Sequence, residues 1–154
     1  MKAVYQRVTE ASVTVEHVRI ADIDHGVLLL VGVCEGDTQQ DAQLMAKKVA
    51  ELRVFSDEND KMNLSVLDVG GSVLAVSQFT LCASTARGRR PDFFGAAKPD
   101  VAKPLFDEFV NYLREMGVTD VQTGEFGADM KVRLLNDGPV TILLDTDTWK
   151  RSGK

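Results

Sequence analysis

Hydrophobic residues fall in short alternating blocks toward both ends of the chain and at helical spacing in two places between them. Lys2 to Val8 alternates as a strand, and Ser12-Val13-Thr14-Val15 follows as another after a polar break. Val18 to Ile23 and Gly26 to Val33 read as the next two strands, the latter nearly all apolar and so expected to be buried. Strands this close together favour antiparallel meanders over βαβ units. Ala42, Met45, Val49 and Leu52 then recur at helical spacing, behind Asp37 or Thr38 as cap, with Gln40 and Asp41 placed to be the third-residue partner. Arg53 to Ser56 is expected as a short strand, Asp57 to Asn63 as polar loop, and Ser72 to Ser77 as a strand entered from Gly70-Gly71. Ala83 to Pro99 lacks periodicity and reads as a long loop, in which Phe93 and Phe94 are expected to plug a core edge or wall a pocket.

A second helix is expected from about Asp100, with Pro104 in its first turn and Gly117 at its end. Its buried stripe reads as Val101, Leu105, Phe109, Tyr112 and Met116. After a short strand, Val121 to Thr123, the chain is expected to close on a hairpin, Lys131–Leu135 and Val140–Leu144, joined by Asn136-Asp137-Gly138-Pro139. The element order predicts one α+β domain of mainly antiparallel β-sheets with two helices packed on one side, in β/β/α layers. The domain is expected over residues 1–145, with 146–154 as a C-terminal tail.

Two accounts of the Asn136–Pro139 connection stand side by side. Asn, Asp and Gly supply turn geometry and Pro fixes φ near −65°, which makes a plain turn sufficient. A cis Gly138-Pro139 bond is the sharper alternative, because only about 5–6% of X–Pro bonds in folded proteins are cis and each holds a specific shape. Gly before Pro would also let backbone approach another chain or a ligand closely.

The chain has 154 residues, 44% hydrophobic and 27% charged, enough for one domain with a real core. No apolar run approaches a membrane span, and the first residues, Met1 to Arg7, have no apolar region of a signal peptide, so a cytosolic protein is expected. Cys34 and Cys82 read as buried free thiols. A net charge of −5 argues against a DNA- or RNA-coating protein while leaving room for a nucleic acid touched at one place. Arg87-Gly88-Arg89-Arg90, within ten residues of Ser77-Gln78-Phe79-Thr80, has more claim to function than Lys150 to Lys154.

Candidate chemistry is sparse. His17 and His25 have no Cys or carboxylate at metal-ligand spacing, so no metal is expected, and no phosphate- or dinucleotide-binding fingerprint calls for a cofactor. Ser77 and Thr80 are hydroxyls at the end of a strand, where local hydrogen bonds to backbone are common. Thr80 as nucleophile would need a base, and none is obvious.

Ser77-Gln78-Phe79-Thr80-Leu81 together with Asn136-Asp137-Gly138-Pro139-Val140-Thr141 resembles the paired signature of the D-aminoacyl-tRNA deacylases. The likeness extends through Ala3 to Val8, Ala11 to Val15, Lys61 to Ser65, Asp68 to Gly71, Gly88 to Pro91 and Thr123 to Met130, in order along nearly the whole chain. It implies a homodimer that cleaves the ester between a D-amino acid and the terminal adenosine of tRNA. It implies further that Ser77, Gln78, Phe79 and Thr80 line the pocket and carry the catalytic role. Gly138 and Pro139, in cis, would reach in from the other subunit to screen the amino acid, within the motif that begins at Asn136. Arg7 matches the residue that helps hold that motif, and Met130 one near the pocket. Glycyl-tRNA, with no side chain to screen, is an expected substrate too. A tRNA-binding or editing accessory module without activity is the alternative. Three departures from the family stand out: few glycines between Glu16 and Asp22, Phe94 where a small polar residue is usual, and a tail after Asp145, through Trp149 and Lys154, without a clear counterpart.

Overall fold

The computed structural model describes residues 1–150. Eight strands, β1 (Lys2–Val15), β2 (Val18–Ile23), β3 (Gly26–Gly32), β4 (Phe55–Ser56), β5 (Met62–Leu64), β6 (Ser72–Ser77), β7 (Val121–Thr123) and β8 (Lys131–Asp145), alternate with three helices. These are α1 (Gln39–Glu51), α2 (Pro99–Glu115) and the short α3 (Thr146–Lys150). The fold is mixed α+β around one six-stranded sheet, ordered β2-β1-β3-β6-β7, with β8 on the other edge of β1. β1 pairs antiparallel with β2, β3 and β8, whereas β3–β6 and β6–β7 are parallel. The parallel pairs need long crossovers, and α1 and α2 lie within them.

Both faces of the sheet are apolar for different reasons. One carries Tyr5, Val27, Leu29, Val31, Val73 and Ala75 and is covered by Met45, Val49, Phe106, Phe109 and Leu113 of α1 and α2. The opposite face carries Val8, Val13, Ile23, Leu28, Leu74 and Val76, packed against Met130, Val132 and Leu134. No residue of α1 or α2 belongs to this second cluster, so both helices lie on one side, as expected. The second face is covered instead by the sheet curling on itself. Asp22 N–H donates to the Gln122 side chain at 2.8 Å, tying β2 to β7 and bringing the sheet near to a barrel.

Several local expectations are corrected. The two expected N-terminal strands are one, β1, and the expected C-terminal hairpin is a single strand, β8, paired with β1 almost end to end. Asn136–Pro139 is therefore a bulge in a strand and no reversal. Gln6 pairs with Thr141 and Val8 with Asn136, so four residues of β8 oppose Arg7 alone. In α2 the buried residues are Ala102, Phe106, Phe109, Val110 and Leu113, with only Phe109 shared with the expected stripe. Both sets have helical spacing, and contact with α1 and the sheet selects between them. Pro99 takes the first position of α2, which puts Pro104 in the second turn.

Cys34 and Cys82 are joined in a disulfide with Cα atoms 5.8 Å apart, contrary to the free thiols expected. The cause is topological. Val31 of β3 pairs in parallel with Ser77 of β6, so both strands leave the sheet on the same side and deliver the two cysteines together across 48 residues of sequence.

Thr38 and Asp41 form the expected helix cap, Thr38 N–H donating to the Asp41 carboxylate at 2.9 Å. The same carboxylate accepts from the Thr146 hydroxyl at 2.7 Å and Lys150 Nζ at 2.7 Å, which docks α3 on α1. The chain beyond Asp145 thus packs as far as Lys150, and the rest of the expected tail lies outside the described residues. Burial raises the Asp41 pKa, but the hydrogen bonds from Lys150, Thr146 and Thr38 outweigh it and hold the carboxyl well below the usual range. Asp41→Asn is expected to cost about 2–4 kcal/mol at neutral pH, since a fully buried acceptor loses its charge-assisted partners. A depressed folded-state pKa means that this contribution is complete above the unfolded pKa of about 3.9 and fades as pH falls toward the folded value. Urea titrations should show the gap between the two proteins closing below about pH 4.

Candidate active site

The C-terminal end of β6 runs into Gln78 and a 3₁₀ turn, Phe79–Cys82. Gln78 N–H donates to the Val31 carbonyl at 2.7 Å, so the turn is seated on the end of β3. The Cys34–Cys82 bond fixes its far end. The N–H groups of Phe79 and Thr80, at the head of this turn, have no hydrogen-bond partner among the described residues. The Thr80 hydroxyl accepts from the Gln78 side-chain amide at 2.9 Å, and the Ser77 hydroxyl makes no hydrogen bond among those residues.

These groups open on a cavity of about 730 Å³. Ser77, Gln78, Phe79 and Thr80 form one wall; Phe93, Ala96 and Ala97 lie along the rim loop, Pro99 and Ala102 at the start of α2. Phe126 to Met130 and Val132 close the opposite side. Met130 reaches this wall because residue 124 is Gly: a Cβ there would lie 2.5 Å from the Met130 sulfur. Phe79 and Phe93 pack edge to face with centroids 5.1 Å apart. Of the two loop phenylalanines, Phe93 walls the pocket and Phe94, 90% exposed, does not line it. Among the described residues the charged ones in the lining are Lys98 and Asp129, and Asp129 is paired with Lys131 at 3.3 Å. Among the described residues no group of His, Cys, Asp or Glu could hold a metal.

The second set of expected site residues lies elsewhere. Gly138-Pro139 is cis, the sharper of the two alternatives, with both residues exposed on β8. Arg7 holds the bulge from beneath: its Nε donates to the Asp137 carbonyl at 3.2 Å, and its guanidinium to the Val54 carbonyl at 2.7 Å. The Asn136 side chain bridges the bulge, accepting from Val140 N–H at 3.2 Å and donating to the Thr141 hydroxyl at 2.8 Å. Arg7, Asn136, Gly138 and Pro139 are absent from the lining of the cavity, so a single chain unites Ser77–Thr80 with Met130 but not with this motif. Sequence reading missed Ala97, Lys98, Pro99 and Ala102. They are mostly small residues without periodicity, and only the packing of α2 against the strand end makes them a wall.

The chain is similar to known proteins along nearly its whole length. Residues 4–145 match the family described as D-Tyr-tRNA(Tyr) deacylase. The chain belongs to that family. A D-aminoacyl-tRNA deacylase of Geobacter sulfurreducens is 56% identical over 152 residues, 99% of each chain. One from Thermomicrobium roseum is 58% identical over 146 residues, 95% of this chain and 94% of its own. A solved structure named c-Myc DNA Unwinding Element Binding Protein superposes with a TM-score of 0.90 at 43% identity, over 94% of this chain and 98% of that one. A probable eukaryotic D-amino acid tRNA deacylase shares the fold at a TM-score of 0.78 and 17% identity, over the same shares. Membership makes this protein a hydrolase of ester bonds, a deacylase of D-aminoacyl-tRNA. No helix among the described residues is long and apolar enough to cross a membrane.

Proposed function

We propose that this deacylase works as a homodimer in the cytoplasm, each pocket completed by the Gly138-Pro139 bulge of the other subunit. The observation that carries this reading is the separation of two built sites in one chain. One is an open pocket; the other is an exposed, Arg7-braced bulge outside the lining of that pocket. Among the described residues β8 pairs only with β1, which leaves its outer edge unpaired there, and Leu143 of β8 is 79% exposed. An isologous contact of this edge with its copy would bury Leu143 and build two equivalent sites at once.

The terminal adenosine and its D-aminoacyl group occupy the pocket. The Phe79 and Thr80 N–H groups receive the developing oxyanion, a role that preorganised backbone donors fill well. With no paired nucleophile and base in the lining among the described residues, water attacks the ester carbonyl with help from the neighbouring 2′-hydroxyl of the substrate. The acyl C–O bond breaks, and the D-amino acid and the tRNA 3′-hydroxyl, which takes the proton, are released. The carbonyl of Gly138 excludes an L side chain, because backbone held by Arg7 and Asn136 cannot rotate aside. Glycyl-tRNA, carrying no side chain to exclude, is hydrolysed as well.

The test is turnover of D-tyrosyl-, L-tyrosyl- and glycyl-tRNA by the purified protein, with its mass in solution. Release of D-tyrosine and glycine but not L-tyrosine, by a dimer, is the expected result. A fully active monomer would overturn the cross-subunit site, and tRNA binding with no ester cleavage would point to an accessory module.

A further inference from the structure

Next to the pocket, the chain between Ser84 and Asp92 forms a narrow loop clasped at its base. Ser84 and Asp92 exchange backbone hydrogen bonds of 2.9 Å in both directions. Below the clasp, Cys82 is bonded to Cys34, Glu35 N–H donates to the Gly95 carbonyl at 2.7 Å, and Ala97 N–H to the Val33 carbonyl at 3.0 Å. The loop is therefore fixed at its root on the same β3 end that seats the 3₁₀ turn. Everything from Thr85 to Pro91 is exposed, and Gly88 at φ +66° makes the turn at the tip.

Arg87, Arg89 and Arg90 are thus presented together, and none has an ion pair or side-chain hydrogen bond among the described residues. Three unneutralised cations within four residues repel one another, on a chain whose net charge is −5. Directly after the clasp come Phe93, which walls the pocket, and Phe94, whose ring is almost wholly in solvent. Lys98, exposed at the pocket mouth, adds a further cation on this side. Cations beside exposed aromatic faces are the physical pattern of single-stranded nucleic-acid binding: the cations follow phosphates and the rings stack on bases.

We propose that the 84–94 loop is the landing site for the single-stranded 3′ end of the tRNA, leading the terminal nucleoside into the pocket. Arg87, Arg89 and Arg90 hold phosphodiesters on the 5′ side of that nucleoside, and Phe94 stacks on one of the bases there. This rests on the pocket taking the aminoacylated terminus. It adds a source of affinity outside the reacting centre, which a pocket with two charged residues cannot itself supply for a polyanion. It also gives Phe94 a use that neither the core nor the pocket does.

The test compares two substrates, D-tyrosyl-tRNA and the phosphate-free ester D-tyrosyl-adenosine, with the triple variant R87Q/R89Q/R90Q and with Phe94→Ser. On the tRNA the triple variant should raise KM at least about tenfold at low salt with kcat within about twofold. The slope of log affinity against log salt should flatten by about 2, at roughly 0.7 per single-strand phosphate contact. Phe94→Ser should raise KM about five- to a hundredfold, the range expected for a lost base stack, without changing the salt slope. On the nucleoside ester both variants should match the unaltered protein. Binding of uncharged tRNA, read by anisotropy, separates this proposal from the reaction. Failure of the unaltered protein to cleave either ester counts against the pocket's proposed use. Unchanged tRNA affinity and salt slope in the triple variant overturn the landing site, as does an equal loss on the phosphate-free ester. Equal binding of a single-stranded DNA of the same length would show a general strand site and overturn its assignment to the tRNA end.

Discussion

Gly138→Ala is expected to cut kcat/KM for D-tyrosyl-tRNA by about a hundredfold, the order of loss that a misplacement near 1 Å causes at a positioned site. The added Cβ would stand 2.9 Å from Val140 Cγ2 and 3.0 Å from the Arg7 guanidinium, at a φ of +124° that L side chains rarely adopt. The bulge must shift, and with it the carbonyl proposed to face the amino acid. The cost in stability should be smaller, about 1–3 kcal/mol, because residue 138 is exposed and only local strain is added. A melting curve beside the kinetics separates the two effects. The decisive measurement mixes this variant with Phe79→Ala, which spoils the pocket and leaves the bulge intact. Each protein alone should be nearly inactive. Random reassociation should recover about a quarter of the original activity, since half the dimers are mixed and each has one intact site of two. No recovery, with exchange of subunits demonstrated, would defeat a pocket shared between chains.

Thr80 is the site of the second large effect, provided that its backbone is altered and its side chain is not. Thr80→Ala keeps the N–H and removes only a hydroxyl that already accepts from Gln78, so a loss below about tenfold is expected. Replacing the Phe79–Thr80 amide by an ester deletes the Thr80 N–H with little change of shape. Removing one oxyanion donor typically costs about 10²–10³ in kcat, and that loss is expected here with KM nearly unchanged. The reverse order, Thr80→Ala abolishing activity while the backbone ester retains it, would make the hydroxyl a participant in the chemistry. Single-turnover rates on D-tyrosyl-tRNA are the suitable readout, because product release cannot then mask the chemical step.

Much of the fold was legible because it depends on local pattern. The cap at Thr38–Asp41, the apolar run of β3 and the α2 end at Gly117 follow from residue types a few positions apart. The pocket-lining stretch Ser77–Thr80 and Met130 was legible through family resemblance alone, since the side chains themselves signal no chemistry. Errors came where two local readings were equally good. Asn-Asp-Gly-Pro suits a reversal as well as a bulge, and only the uninterrupted partner β1, with Arg7 opposite, makes it a bulge. The α2 stripe was misplaced because apolar residues cover more than one face, and its neighbours choose which is buried.

The sequence by itself determined the placing of α1 and α2 among the strands, the α+β class and the two motifs, since each rests on the spacing of residue types along the chain. Only the tertiary structure decided that β3 and β6 run in parallel and end together. That placement joins Cys34 to Cys82 and seats Phe79 and Thr80, whose N–H groups have no partner among the described residues, at the mouth of a cavity. It also decided that the Gly138-Pro139 bulge lies outside the lining of that cavity. The physical reason is range: propensity and periodicity act over a few residues, whereas strand pairing brings together positions tens of residues apart through contacts that no local pattern encodes.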